Sequence, residues 1–395
     1  MRLCMISLDA VAQPDADRLL SLPALSALAA EGVFCDQVKT VYPTLTYPIH
    51  TSLLTGCYPR THGIGHNQPF QPDTKPEMRR WYWSAKDVKA KTLHRAAREK
   101  GLDVASILWP VSGKNRAVRR NFPEVLPLPG ENAVLKMLRY ASPLWILRME
   151  LQYGRQRRSI RQPDLDDYAA LLCEKLYASR RPPDVLTVHL VDCDAMRHQY
   201  GANSREAHAA MERLDGRVKR IVEAVKGAGL EEETLFCVVS DHGQQDAPRG
   251  IPLDRALRAA CGARAQSLGM GAYIFGDDLT AAWRALEKNR ESWGIGRILG
   301  EAEIQALRGP ENVRMAVDAE KGCCFLDEPK ETRGEHGFHL DCPEARTLLW
   351  LKGPGIRRGT RLDRADLVDI APTLARALGL ALPEAEGRPL EEAFL

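Results

Sequence analysis

The chain reads as an α/β protein built on a mainly parallel sheet. Strand-like apolar runs alternate with helix-like segments along most of its length. Three of those runs, at 3–8, 185–191 and 234–240, are apolar almost throughout, the pattern of strands buried on both faces. Each leads into acid: Asp9 after the first, Asp192 and Asp194 after the second, Asp241 after the third. In a parallel sheet all three ends emerge on one edge, where open α/β sheets bind ligands.

The elements follow in order. Residues 22–30 read as a helix ended by Gly32, and 33–38 as a short strand. A loop rich in Pro, Thr and Tyr then leads to a short apolar run, 50–55, closed by Gly56. Pro48 suits the first turn of a helix, which places Thr46 at or near its N-cap. Free N–H groups and the helix dipole make such a place an anion site, and a hydroxyl there beside a metal can act as a phosphoryl-transfer nucleophile. Capping alone is the plainer role. Residues 68–90 are polar and carry the aromatic patch Trp81-Tyr82-Trp83. A helix at 92–100 with Gly101 as its C-cap precedes a strand at 104–108. Residues 114–165 are rich in Arg and Pro with weak strand signals, and read as a helical insertion or cap over one face of the sheet. Their basic run, 155–161, reads as a solvated helix face. Helices at 165–179 and 204–228 flank the strand at 185–191. Helices at 251–260 and 279–288, a strand at 346–351 and a helix at 366–378 complete the pattern, with no internal repeat.

A chain of 395 residues, 44% hydrophobic and 27% charged, can bury a large core and is no disordered protein. That length suits one large domain with insertions, or two domains. The net charge of +3 gives no reason to expect nucleic acid as a partner. Ten cysteines form no CxxC pair, which excludes a zinc ribbon and a thioredoxin motif. Several lie in apolar runs, and no charged-then-apolar leader precedes the first strand, so a cytoplasmic location is expected. No apolar run reaches the length of a membrane span. The nearest, 140–151, is short and carries Arg148 and Glu150, so no membrane partner is expected.

The chemistry collects at the acidic strand ends. His242 follows Asp241 directly, and His198 lies four residues after Asp194, on the same face of a helical turn. A third imidazole sits in the glycine-flanked Gly334-Glu-His-Gly337, as His336. Carboxylate and imidazole together suit zinc, with manganese or iron as alternatives. Six ligands, Asp9, Asp194, Asp241, His198, His242 and His336, are enough for two metals with open positions. Two such metals clamp the attacking and leaving oxygens of a displacement at phosphorus. An Asp-His pair alone arises by chance; the set, each at a strand end or glycine loop, is far more specific.

These segments resemble the nucleotide pyrophosphatase/phosphodiesterase family of the alkaline phosphatase superfamily. The resemblance rests on Asp9, Pro43-Thr-Leu-Thr-Tyr-Pro-Ile-His50, Thr55-Gly-Cys-Tyr-Pro-Arg-Thr-His-Gly-Ile64, Trp109-Pro-Val-Ser112, Asp194-Ala-Met-Arg-His198, Ser240-Asp-His-Gly243 and Gly334-Glu-His-Gly337, in the family's order. It extends to Asp369-Ile-Ala-Pro-Thr-Leu374, which resembles the superfamily's closing helix. It implies a single catalytic domain over 1–395, a three-layer sandwich with a cap-like insertion at about 114–165, and hydrolysis of a small phosphodiester or nucleotide through a phosphothreonine at Thr46. Asp9, Asp241 and His242 would hold one zinc, with the nucleophile Thr46 beside them counted among the metal-binding residues, and Asp194, His198 and His336 the other. Asn67 matches an amide that hydrogen-bonds a phosphoryl oxygen, and Tyr47 an aromatic that lines a nucleobase pocket, plain packing being its other role. Ala10 and Ile49 depart from the family's usual Gly and Asn, and 114–165 has no matching segment. Within the superfamily a phosphonoacetate-type hydrolase and a phosphomonoesterase are the rivals. Thr at position 46 argues against a sulfatase, and the complete ligand set against a non-catalytic binding module.

Overall fold

In the computed structural model, which describes residues 1–326 and 333–395, the expected strands assemble into one large sheet. Its principal strands are β1 (Arg2–Leu8), β2 (Val33–Lys39), β3 (Val104–Ile107), β4 (Arg120–Phe122), β5 (Val185–Leu190), β6 (Thr234–Ser240), β7 (Arg346–Lys352) and β8 (Thr360–Arg361). They lie in the order β8-β2-β7-β6-β1-β5-β3-β4. Among the described strands of this sheet β7 alone runs antiparallel to its neighbours. An apolar run buried on both faces carries no mark of its direction, so only the assembled sheet shows that reversal.

Side-chain alternation along β1 divides the molecule into layers. Cys4, Ile6 and Leu8 face one side, with the helices Pro23–Glu31, Asp164–Tyr177 and Arg205–Gly227. Leu3 and Met5 face the other, with α1 (Thr46–Thr55), Leu93–Glu99 and Ile370–Leu378. Helices thus cover both faces of the sheet.

The insertion opens with β4 at the edge of the sheet and continues as α2 (Ala133–Tyr140) and α3 (Pro143–Tyr153). Ile146 and Met149 of α3 join the core shared with Asp164–Tyr177. A three-residue strand has no period to read, which is why β4 was not expected.

A second, antiparallel sheet joins Arg264–Ser267, Gly271–Phe275, Ile295–Leu299 and Ala316–Ala319. The helices Leu253–Cys261 and Leu279–Lys288 pack on it through Leu257, Ala282 and Leu286. The sequence showed these helices but not the strands. Arg264–Ser267 is half-buried throughout, and Ile295–Leu299 carries Gly296 and an exposed Arg297, so neither holds a clean alternation.

Candidate metal centre and active site

Register builds the site first. Leu8 lies opposite Leu190 on one side and Ser240 on the other, so β1, β5 and β6 end level. Asp9 and Asp241 leave the sheet side by side, both buried. The chain after β5 turns into α4 (Asp192–Tyr200), which carries Asp194 and, one turn later, His198.

Asp241 is held from behind. Its Oδ1 accepts the N–H groups of Ala10 at 3.1 Å and His242 at 2.8 Å, while Oδ2 has no hydrogen-bond partner among the described residues. Asp9 Oδ2 lies 3.0 Å from His189 Nε2, and its Oδ1 likewise has no hydrogen-bond partner among the described residues. His242 Nε2 stands 3.4 Å from Asp241, 3.7 Å from Asp9 and 3.3 Å from the hydroxyl of Thr46. Asp9, Asp241 and His242 thus form one cluster able to hold a metal ion.

Thr46 does not cap its helix. The N-cap is Leu45, in extended conformation, and Thr46 is the first helical residue. Its hydroxyl is therefore not spent on backbone N–H groups and faces His242 instead. The Thr46 carbonyl lies 2.8 Å from His50 Nδ1, which ties the start of α1 to the floor of the site.

The second cluster is Asp194, His198 and His336. Asp194 Oδ1 is 3.3 Å from His198 Nε2 and accepts a 2.5 Å hydrogen bond from Gln244. His198 Nδ1 approaches the Gly334 carbonyl at 2.9 Å, and His336 Nδ1 the Thr44 carbonyl at 3.2 Å. Such carbonyl contacts orient the opposite ring nitrogen toward a ligand. The rings of His242 and His336 stack at 4.2 Å, so the two clusters adjoin. Gly337 makes the close approach possible: at φ +84° a Cβ would stand 1.7 Å from the Leu268 carbonyl oxygen.

The electrostatics call for a cation. Burial, then repulsion from Asp241 and Asp194, pushes the Asp9 carboxyl well above its usual range, and burial raises Asp241. Burial holds His242 near 4 and His336 near 3, both neutral and fit to coordinate. Burial opposes charge on His198, yet Asp194 lifts it to about 10. Unpaired buried carboxylate oxygens beside neutral imidazoles are the donor set a zinc-like ion takes.

Asn67 lies beside the start of α1. Its Oδ1 accepts the Tyr47 N–H at 3.0 Å, which fixes the amide orientation and leaves Nδ2 as the donor. Tyr47 corrects an expectation. Its ring is fully buried against Trp81, at 5.3 Å between centroids, and clusters with Ile64, Trp83, Val111 and Val125. It offers a ligand no open face in this structure, and plain packing, its other role, is what the buried ring shows.

Two residues were not foreseen. His189, in the middle of the apolar run of β5, bridges Asp9 and Glu124, its Nδ1 lying 3.3 Å from Glu124. Glu124 in turn accepts from the Tyr47 hydroxyl at 3.3 Å. The signal for His189 was present as an imidazole in a buried strand; Glu124 lies in the insertion, which gave no motif. Of the other histidines, His50 packs 4.2 Å from the His189 ring, His62 meets Ser52 and His66 the Ser267 carbonyl, while His339 pairs with Asp341. Ala10 adopts φ 60°, a conformation suited to glycine, and its carbonyl accepts from the buried Arg197 at 2.6 Å.

The chain is similar to known proteins. The sequence signature of the family Type I phosphodiesterase / nucleotide pyrophosphatase matches residues 3–333. Bis(5'-adenosyl)-triphosphatase ENPP4 of Bos taurus is 23% identical over 386 residues, covering 91% of this chain and 74% of that protein. Ectonucleotide pyrophosphatase/phosphodiesterase family member 1 of Homo sapiens is 25% identical over 238 residues, covering 57% of this chain but only 21% of that longer protein. Among solved structures, murine ectonucleotide pyrophosphatase/phosphodiesterase 5 superposes with a TM-score of 0.74 at 18% identity, covering 98% of this chain and 97% of that one. An inactive threonine-to-alanine variant of that murine protein, in complex with AMP, superposes equally well. The fold is alkaline-phosphatase-like, and the chain belongs to the type I phosphodiesterase/nucleotide pyrophosphatase family.

Proposed function

We propose that the protein is a two-zinc phosphodiesterase or nucleotide pyrophosphatase that hydrolyses small phosphodiester or phosphoanhydride substrates through a phosphothreonine. One observation carries this reading: the uncommitted Thr46 hydroxyl stands 3.3 Å from His242, at the rim of a buried carboxylate and imidazole cluster. Asp9, Asp241 and His242 would hold one ion beside Thr46, and Asp194, His198 and His336 the other, with manganese or iron as alternatives to zinc. Bound ions supply Lewis acidity, favouring the ionised hydroxyl and neutralising charge on the phosphoryl and leaving oxygens. Thr46 Oγ1 attacks phosphorus as the bond to the leaving oxygen breaks, and water then releases phosphate or a phosphomonoester from Thr46. Asn67 Nδ2 donates to a phosphoryl oxygen, and the positive end of α1 adds to that field. His189 orients Asp9 from behind, as outer hydrogen bonds orient metal ligands.

A diester is favoured over a monoester. An enzyme tuned to the extra charge of a monoester gains from a second cation at the phosphoryl group, best supplied by Arg. The buried Arg197 is spent on Asp15 and the Ala10 carbonyl, and the Lys114 ammonium lies over the Tyr140 ring. The nucleotide substrates and AMP named for the similar proteins support a nucleotide diester here. The test is kcat/KM on a nitrophenyl nucleotide diester, nitrophenyl phosphate and phosphonoacetate. The diester is expected to lead; a diester-to-monoester ratio below one refutes the reading, and phosphonoacetate in the lead moves the protein to the phosphonate hydrolases.

A further inference from the structure

The insertion helices carry apolar side chains that nothing among the described residues covers. On α3, Ile146 and Met149 face the core, while Leu144, Leu147, Arg148 and Leu151 point outward at i, i+3, i+4 and i+7. Leu144 is 84% exposed and Leu151 88%, on the same face. On α2, Val134 and Leu135 are about two-thirds exposed, and Ile160 just beyond α3 is 65% exposed. A helix that packs one face inward and shows a leucine ridge on the other has an unfilled partner position.

The charge around this ridge is one-sided. Residues 133–161 hold seven Lys or Arg and a single acid, Glu150. Glu150 is neutralised by Arg157, and Lys136 is drawn inward over Trp83 and paired with Glu131. Arg139, Arg148, Arg155, Arg158 and Arg161 make no ion pair among the described residues. Beside the ridge, Lys114, Arg116, Arg119, Arg139 and Arg148 line a groove of about 810 Å³ between the insertion helices and β4.

We propose that α2, α3 and the following basic segment form a docking surface for an anionic lipid bilayer. The leucines would enter the boundary between headgroups and acyl chains, and the arginines would meet headgroup phosphates. Charge selects this occupant. A second copy of the chain, pairing through the same face about a twofold axis, would set arginines against arginines. An acidic polymer would satisfy the arginines but leave the leucines in water. No helix among the described residues is long and apolar enough to cross a membrane, so the association is peripheral. No membrane partner was expected because no apolar run reaches the length of a span; a helix lying on the bilayer surface needs no span. α2 ends at Tyr140, whose ring packs 6.0 Å from Trp83 in the aromatic cluster that buries Tyr47, so the docked face adjoins the active-site wall.

The test is flotation of the full chain, metals retained, with vesicles of phosphatidylcholine alone and of phosphatidylcholine mixed with phosphatidylserine. Binding is expected only to the mixed vesicles and is lost in high salt. Arg148→Gln and Arg155→Gln should each lower partitioning about five-fold, and Leu144→Gln with Leu151→Gln roughly ten-fold or more. These positions are exposed, so unchanged thermal unfolding and turnover of free substrate verify the variants. Absence of binding to the mixed vesicles, or binding indifferent to the leucine pair, overturns the proposal. A concentration-dependent dimer abolished by the leucine pair overturns it in favour of self-association.

Discussion

Thr46→Ala separates the chemistry at the site from its architecture. The hydroxyl makes one close contact, with His242 at 3.3 Å, and caps no helix because Leu45 holds that position. Its loss should cost folding about 1 kcal/mol at most. The carbonyl contact with His50 is a backbone feature and survives the change. Asp9, Asp241 and His242 remain in place, so metal content should be unaltered. Turnover is a different matter. Removing an attacking group from a preorganised site lowers kcat by about four to six orders of magnitude. The assay pairs release of nitrophenol from a nucleotide diester with elemental analysis and thermal unfolding of the same preparation. Stoichiometric metal, near-normal unfolding and abolished turnover are expected, with partial activity in Thr46→Ser. A folded, metal-loaded Thr46→Ala variant within ten-fold of the parent would remove Thr46 from the mechanism.

Elemental analysis should find about two zinc ions per chain, and chelation should abolish turnover; full activity in metal-free protein contradicts the site. Metal binding must displace protons from Asp9, raised by burial and its acidic neighbours, and from His198, lifted to about 10. Apparent affinity should therefore fall as pH falls, with proton release visible by calorimetry in buffers of different ionisation enthalpy. His198 also sets a sign for metal-free stability. Its raised folded value gives a contribution complete below the ordinary histidine value of 6.5 and lost as pH rises toward 10. Metal-free protein should thus melt lower at pH about 9.5 than at pH about 7, and the opposite order would contradict the His198–Asp194 pairing. Gly337→Ala should destabilise by more than about 2 kcal/mol, from the left-handed backbone and the clash with Leu268, and should displace His336. Unchanged unfolding and metal content would refute that role. All ten cysteines are free, so ten thiols should react in denaturant without prior reduction; a mostly disulfide-bonded chain would contradict the cytoplasmic location expected from the sequence.

The sequence by itself determined the parts whose signal is local. The apolar runs that became β1, β5 and β6 were legible because burial on both faces demands continuous hydrophobicity. Asp9, Asp194 and Asp241 were legible because a parallel sheet sends successive strand ends to one edge, and His198 because four residues make one helical turn. Only the tertiary structure decided what depends on residues distant in the chain. The reversal of β7, the antiparallel sheet from Arg264 to Ala319 and the strand β4 rest on pairings that short or mixed patterns do not announce. Whether the Thr46 hydroxyl was spent on capping rested on which of Leu45 and Thr46 is the N-cap, a one-residue question that helix signals do not resolve. Tyr47 was an aromatic beside Thr46 in sequence, and its neighbours Trp81, Val111 and Val125 decided that it is buried. His189 and Glu124 lie 65 residues apart and gain their meaning only from Asp9, because a buried carboxylate is satisfied by whatever the fold brings to it.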